Sequence, residues 1–491
     1  MIRTLIQAMM LLAVSCPATA QLFNDNPFRN SQNKLYWQNR KPHAAYFQQD
    51  VAYTIHAVLD EKTDILSADE ELQYWNNSPD TLYEVYFHLY QNAFTKGSYL
   101  EELHKVNQSP VQRRSAYAEQ GLGTTVEDMK ADGLPVSTEL NNTVLKVKLN
   151  KPLLPSKSIR FTLQFKTYFG TGDYRRRMAM YNSFGQKHYN GVHWYPRICV
   201  YDAVKGWDQD QHLNKELYGD YGYFDVWLNM ASNTIVEATG ELKNESEMYA
   251  GGLREKLDIK NFASKPWNEK PSVIIPYDPK LRKTWHFQAS NVHDFAFTSD
   301  PGYRIGETRW NGIRCIALVN EAHASKWQTA SDYVAKIIET FSRNFGMYEY
   351  PKMVAADAND GMEYPMLTLD GGAEPDFHGL LVHEIGHNWF YGMLGNNETY
   401  RAFLDEGFTQ FLTAFGLQVI DGDTLISSPE KNRYKRKHRE PSLNIDRSVY
   451  NRYMMDAVRN DDKTLNTHSN DFHSALGHEN GYSNVYHKTA V

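Results

Sequence analysis

Two histidines four residues apart, His383 and His387, with Glu384 between them and Glu406 nineteen residues further on, are the side chains of this sequence best suited to chemistry. Two imidazoles and one carboxylate form the ligand set of a catalytic zinc, one ion per chain, and a glutamate directly after the first histidine is where such a site keeps its general base. At about 3.6 residues per turn, positions i and i+4 of a helix lie about 40° apart, so His383 and His387 project from one face and reach one ion. Glu384 falls about 100° round from His383, beside the ion, where its carboxylate takes a proton from the attacking water and is not itself a ligand. A His-Glu-x-x-His string also arises by chance. The glutamate at its set distance, inside Leu404-Asp405-Glu406-Gly407-Phe408, lifts this one above chance.

Two helices must position these groups. Phe377 to Val382 and Asn388 to Tyr391 are apolar enough to bury the first, whose polar spots are then functional. Gly386 inside it costs about 1 kcal/mol relative to alanine, acceptable where another element packs closely. Asp405 to Phe415 supplies the second helix, with Phe408, Phe411, Leu412 and Phe415 at helical spacing and expected to pack against the first. Asp405 and Gln410 are each placed either to orient a zinc histidine or simply to cap or solvate the helix.

Upstream the chain reads mostly as strands. Val51 to Leu59, Leu145 to Leu149 and Ile159 to Phe165 alternate apolar and polar residues between turn-forming clusters, which predicts a twisted antiparallel assembly. Residues 95 to 140 read as a long polar surface excursion. Near Tyr303 the pattern changes: Ile313 to Val319 is a buried strand, and Ser331 to Phe345 a helix with Tyr333, Ile337, Ile338, Phe341 and Phe345 on one face. The expected organisation is a signal peptide (1–20), a β-rich domain (21–302) and a catalytic domain (303–491). The signal peptide is read from Arg3, the apolar stretch Leu5 to Val14 and Ala18-Thr19-Ala20, with cleavage before Gln21; it is too short to span a membrane. This predicts an exported protein, periplasmic or extracellular. Lipid anchoring at Cys16 is not expected, because Ala13-Val14-Ser15 makes a poor lipobox. Cys199 and Cys315 alone remain after cleavage, too few for a disulfide framework, and whether they pair is open. The net charge of −7 argues against nucleic acid as a partner, and the basic run Lys431 to Arg439 reads as a solvated helix or loop. His468, His473, His478 and His487 have no fixed ligand spacing and read as surface.

Three further segments make the chain resemble the aminopeptidase N family of gluzincin zinc metallopeptidases. Gly361-Met362-Glu363-Tyr364 is similar to the family's Gly-x-Met-Glu-Asn strand, with Asp360 in place of the glycine and Tyr364 in place of the asparagine. Val485-Tyr486-His487-Lys488 resembles its Tyr-Glu-Lys-Gly segment, with His487 for the glutamate. His193-Trp194-Tyr195-Pro196 through Asp202, then Glu216 to Tyr223, resembles the middle of its amino-terminal β domain. The resemblance implies an α+β fold in which an amino-terminal antiparallel β domain precedes a thermolysin-like zinc peptidase domain. It implies that Glu363, with Gly361 and Met362, binds the substrate and its free α-amino group, and that Tyr486 stabilises the oxyanion. In the family further helices follow this tyrosine, so the catalytic domain is expected to be incomplete at Val491. The expected activity is removal of amino-terminal residues from peptides; the alternatives are a gluzincin endopeptidase or related hydrolase, and a non-catalytic surface binding protein.

Overall fold

The computed structural model describes residues 26–108, 114–171, 177–213, 217–438, 440, 442–460, 462, 464–469, 471 and 478–491. The expected signal segment, Glu216, Arg439, His473 and the side chain of His478 lie outside the described residues. The described residues fall into two compact units, one ending at Phe47 and one beginning at Gln48. In the first, a 3-10 turn at Trp37–Arg40 follows an edge-on pair of rings, Phe28 and Tyr36, 5.1 Å apart.

In the second unit, alternation builds the long strands. Along β1 (Asp50–Asp60), Val51, Tyr53, Ile55, Ala57 and Leu59 are buried, whereas His56 and Val58 face outward. The largest sheet holds this strand with β2 (Ile65–Trp75), β3 (Thr124–Ala131), β4 (Ser158–Tyr168), β5 (Gly222–Ala231) and β6 (Arg282–Val292), in the order β6-β5-β1-β2-β4-β3. Two expectations need correction. β1 and β5 run parallel, so the assembly is mixed; a connection of this length lets the chain return in the same direction, which no hairpin permits. The stretch 95 to 140 is also more than a surface excursion, since β3 extends the sheet alongside β4. A bulge between Glu127 and Lys130 shifts the register, and so breaks the alternation by which β3 would have been recognised.

A separate five-stranded sheet opens at Tyr303: β7 (Tyr303–Trp310), β8 (Ile313–Asn320), β9 (Lys352–Asp357), β10 (Met362–Tyr364) and β11 (Leu367–Asp370), ordered β7-β8-β9-β11-β10. β8, β9 and β11 are parallel to one another, and β10 is antiparallel to β11. Covered on both faces, β8 is an almost unbroken apolar run. The helix α1 (Ala330–Phe345) lies against β7 and β8 and buries Tyr333, Val334, Ile337, Ile338 and Phe341.

The helices expected at the histidine motif and at Glu406 are α2 (His378–Gly386) and α3 (Glu406–Asp421). They meet through glycines: a Cβ on Gly386 would lie 3.3 Å from Thr409 Cγ2, and one on Gly416 only 2.7 Å from Val382 Cγ1. The face of α3 turned to α2 is therefore small and polar, with Leu412 its large apolar member. Phe408 and Phe411, expected to pack on α2, keep 38% and 44% of their surface exposed; Phe408 stacks on Phe390, and Phe411 meets Phe345 edge-on. α4 (Pro429–His438) carries the basic run as a solvated helix, with Lys435 buried. α5 (His478–Ala490) carries Tyr486 in its second half. Cys199 and Cys315 are both buried and free, so they do not pair. One apolar core extends from Val51 to Leu417, and among the described residues no helix is long and apolar enough to cross a membrane.

Candidate metal centre

His383 on α2 and His387 at its C-terminal cap approach Glu406, the first residue of α3. His383 Nε2 lies 3.2 Å from Glu406 Oε2 and 3.2 Å from His387 Nε2, and the third side of the triangle, His387 Nε2 to Glu406 Oε2, is 3.3 Å. A tetrahedral zinc with bonds of about 2.0–2.1 Å holds its donor atoms about 3.3 Å apart, so the triangle fits that ion without rearrangement. The far ring nitrogens support the same reading. The Thr413 hydroxyl donates to the Thr409 carbonyl (2.8 Å), which leaves its oxygen to accept from His383 Nδ1 at 3.0 Å. Asp405 Oδ1 accepts from His387 Nδ1 at 2.5 Å. With both protons on Nδ1, two imidazole lone pairs and a carboxylate oxygen converge on one point, an arrangement suited to a cation.

The electrostatics agree. Burial pushes the Glu406 carboxyl up, but where the two imidazoles also carry a proton on Nε2 their hydrogen bonds and charge outweigh burial and hold it well below the usual carboxylate range. Burial lowers the basicity of His387, and Asp405, Glu363 and Glu406 reverse this and raise it well above the ordinary imidazole value. A proton and a metal ion therefore compete for the same nitrogen.

Glu384, buried on α2, has a carboxylate oxygen within 4.8 Å of ligand atoms of both Glu363 and His387. Burial raises its pKa well above the carboxylate range, and the negative charge of Glu363 raises it further. Gly361 lets the backbone pass close by: a Cβ there would sit 3.1 Å from Glu384 Oε1. Glu363 is buried on β10, while its neighbours Met362 and Tyr364 are buried in the core. Tyr486 reaches the centre from α5. Its hydroxyl donates to Glu406 Oε1 and its ring stacks at 6.1 Å on that of His383. Gly407 permits that approach, because a Cβ there would collide with Thr489 at 2.3 Å.

All eight residues singled out from the sequence are thus placed: Glu384, Glu363 and the three ligand candidates cluster, Tyr486 joins them through Glu406, Gly361 borders Glu384, and the Met362 side chain belongs to the core. Of the two candidates for orienting a histidine, Asp405 does so; Gln410 instead donates to the Ser448 carbonyl at 2.6 Å. Thr413 was not singled out. Its position seven residues after Glu406, on the same helix face, was the available signal. His468 lies 3.1 Å from Asp210, and His487 bonds the Ser448 carbonyl.

No protein-family model and no curated protein sequence matches this chain. Solved structures do. An M1 zinc metallopeptidase mutant from Deinococcus radiodurans bound to a Tyr-Ser-Ala substrate superimposes with a TM-score of 0.52 at 14% identity, covering 91% of this chain and 82% of that one. A second structure of an M1 zinc metallopeptidase mutant from the same organism gives 0.51 at 13% identity, with the same coverage. The chain has the α+β fold of the M1 zinc metallopeptidases, the aminopeptidase N family, with a β-rich amino-terminal part and a helical carboxyl-terminal part. Within that fold it carries a His/His/Glu set able to hold one metal ion.

Proposed function

We propose that this chain is an exported M1-type zinc metallopeptidase that removes amino-terminal residues from peptides, its catalytic part running from Tyr303. His383, His387 and Glu406 hold the zinc, which when bound supplies a Lewis acid that polarises the scissile carbonyl and eases deprotonation of water. Glu384 accepts the proton of the attacking water and passes it to the leaving amine. Tyr486 turns its O–H from Glu406 onto the developing oxyanion. Glu363 pairs with the substrate's α-ammonium, which limits the cut to the first peptide bond.

The observation that carries the aminopeptidase reading is the buried carboxylate of Glu363 beside Glu384 and His387. An endopeptidase substrate brings no α-ammonium to this position, whereas a carboxylate placed there suits a substrate with a free amino terminus. Peptides with free amino termini should therefore be trimmed while their acetylated counterparts are cut poorly, and Glu363→Ala should lose activity on the former and narrow the gap. Internal cleavage of acetylated peptides by the wild type, as fast as trimming of free ones, would replace this reading with an endopeptidase. The amino-terminal sequence pattern supports export, and amino-terminal sequencing of the mature protein should begin at Gln21.

A further inference from the structure

Away from the metal centre, a cavity of about 450 Å³ opens on the β-rich part, between the strand Gln186–Gly191, the end of β5 and the segment carrying Lys270 and Tyr277. Its size falls in the range that encloses small ligands. The wall is apolar, with Ile275, Pro301 and the ring of Tyr189; Val273 and Tyr277 form a rim and keep 65% and 55% of their surface exposed. Asn233 and Thr234 also line it. Each is more than nine-tenths buried, at 7% and 6% exposure, and neither side chain has a hydrogen-bond partner among the described residues. Their polar atoms are not sealed from solvent, so an occupant of the cavity can replace water on an amide and a hydroxyl.

The charges define that occupant. Glu61 pairs with Arg282 at 2.9 Å, and Lys187 with Asp64 at 2.7 Å, so both of these lining charges are neutralised within the protein. Lys270, exposed, has no acidic partner among the described residues, and only its backbone carbonyl is engaged, by Lys265. The cavity thus offers one uncompensated ammonium, an amide, a hydroxyl and an apolar wall. We propose that it is a binding site for an apolar residue bearing a free carboxylate, the chemistry shared by an N-acylated hydrophobic amino acid and the carboxyl end of a peptide. The carboxylate meets Lys270, the side chain lies along Ile275 and Tyr277, and the adjoining amide bonds Asn233 and Thr234.

Calorimetric titration of the full chain with acetyl-phenylalanine, acetyl-Ala-Ala-Phe and their carboxamides tests this. The acids should bind about two- to fivefold more tightly than the amides, the scale of one partly exposed ion pair. Lys270→Glu, a surface change, should abolish that preference, and Thr234→Val should weaken acid and amide alike. Neither variant should alter zinc content or cleavage of a free-terminus substrate. Tighter binding of the tripeptide acid assigns the site to peptide ends, and equal binding of the two acids assigns it to free N-acyl amino acids; both uphold the proposal. Equal affinity for acid and amide, indifference to Lys270→Glu, or displacement by a zinc-directed hydroxamate would overturn it, the last by assigning the binding to the catalytic cleft.

Discussion

At the scale of single residues, the proposed function assigns metal binding and proton transfer to different groups, and substitutions should separate them. Glu384 takes no part in the triangle formed by His383, His387 and Glu406, so Glu384→Gln should keep the metal while turnover falls by at least about a hundredfold, the scale of general acid–base catalysis. Asp405 holds the Nδ1 proton of His387, so Asp405→Ala frees that ring and should weaken zinc affinity by about 10- to 100-fold. Metal content measured against a competing chelator, alongside kcat, distinguishes the two. Loss of metal in the first variant or unchanged affinity in the second would contradict these assignments.

At the scale of elements, the α2–α3 crossing depends on two absent side chains. Ala is the better helix former by about 1 kcal/mol, yet Gly416→Ala should destabilise by about 1–3 kcal/mol, because its Cβ would press on Val382 and on the ring of Phe341 at 3.0 Å. Gly379→Ala on the same helix pair meets nothing within 4 Å and should stabilise by up to about 1 kcal/mol. Denaturant midpoints of the two variants should therefore move in opposite directions.

The far end of the same helices is pinned by His378, whose Nδ1 lies 2.8 Å from Asp421 on α3 and whose Nε2 lies 2.9 Å from Glu374. The ring stacks at 3.9 Å on Tyr333 of α1, whose hydroxyl donates to Asp421. Burial lowers the imidazole pKa, but the two carboxylates outweigh burial and push it up to about 9. A pKa raised on folding contributes stability that is complete below the unfolded value near 6.5 and is lost as pH rises through about 9, amounting to about 3 kcal/mol. Thermal midpoints should fall across that window in the wild type, and His378→Gln should flatten the slope. A wild-type midpoint that rises or stays level between pH 6.5 and 9 would sink the assignment.

At the scale of the whole molecule, the metal is an addition to a fold held by other forces. The core running from Val51 to Leu417 involves neither His383, His387 nor Glu406. Removing the ion should abolish activity while leaving secondary structure intact, with the loss of about 3–4 kcal/mol expected for a ligand at 100–1,000 times its Kd. For a chain of this size that lowers the thermal midpoint by a few degrees. Far-UV circular dichroism that collapses on chelation would mean instead that the site is a structural one.

The sequence alone determined the parts of this protein that depend on local spacing. His383 and His387 share a helix face because helix pitch dictates it, β1 and β8 show their burial in their own residue patterns, and α1 shows its buried stripe. Tertiary structure decided what depends on residues far apart in the chain. Asp405 and Gln410 were equivalent by position, and only the packing of α3 turned one to His387 and the other to Ser448. The phenylalanines of α3 look like its contact with α2, but Gly386 and Gly416 bring the helices together along a smaller face and leave Phe408 and Phe411 partly exposed. The parallel return of β5 beside β1, the free state of Cys199 and Cys315, and the approach of Tyr486 to Glu406 likewise follow from long connections whose path no local pattern encodes. Periodicity and spacing report the geometry of one element, whereas the pairing of elements is settled by the summed fit of many weak contacts across the core.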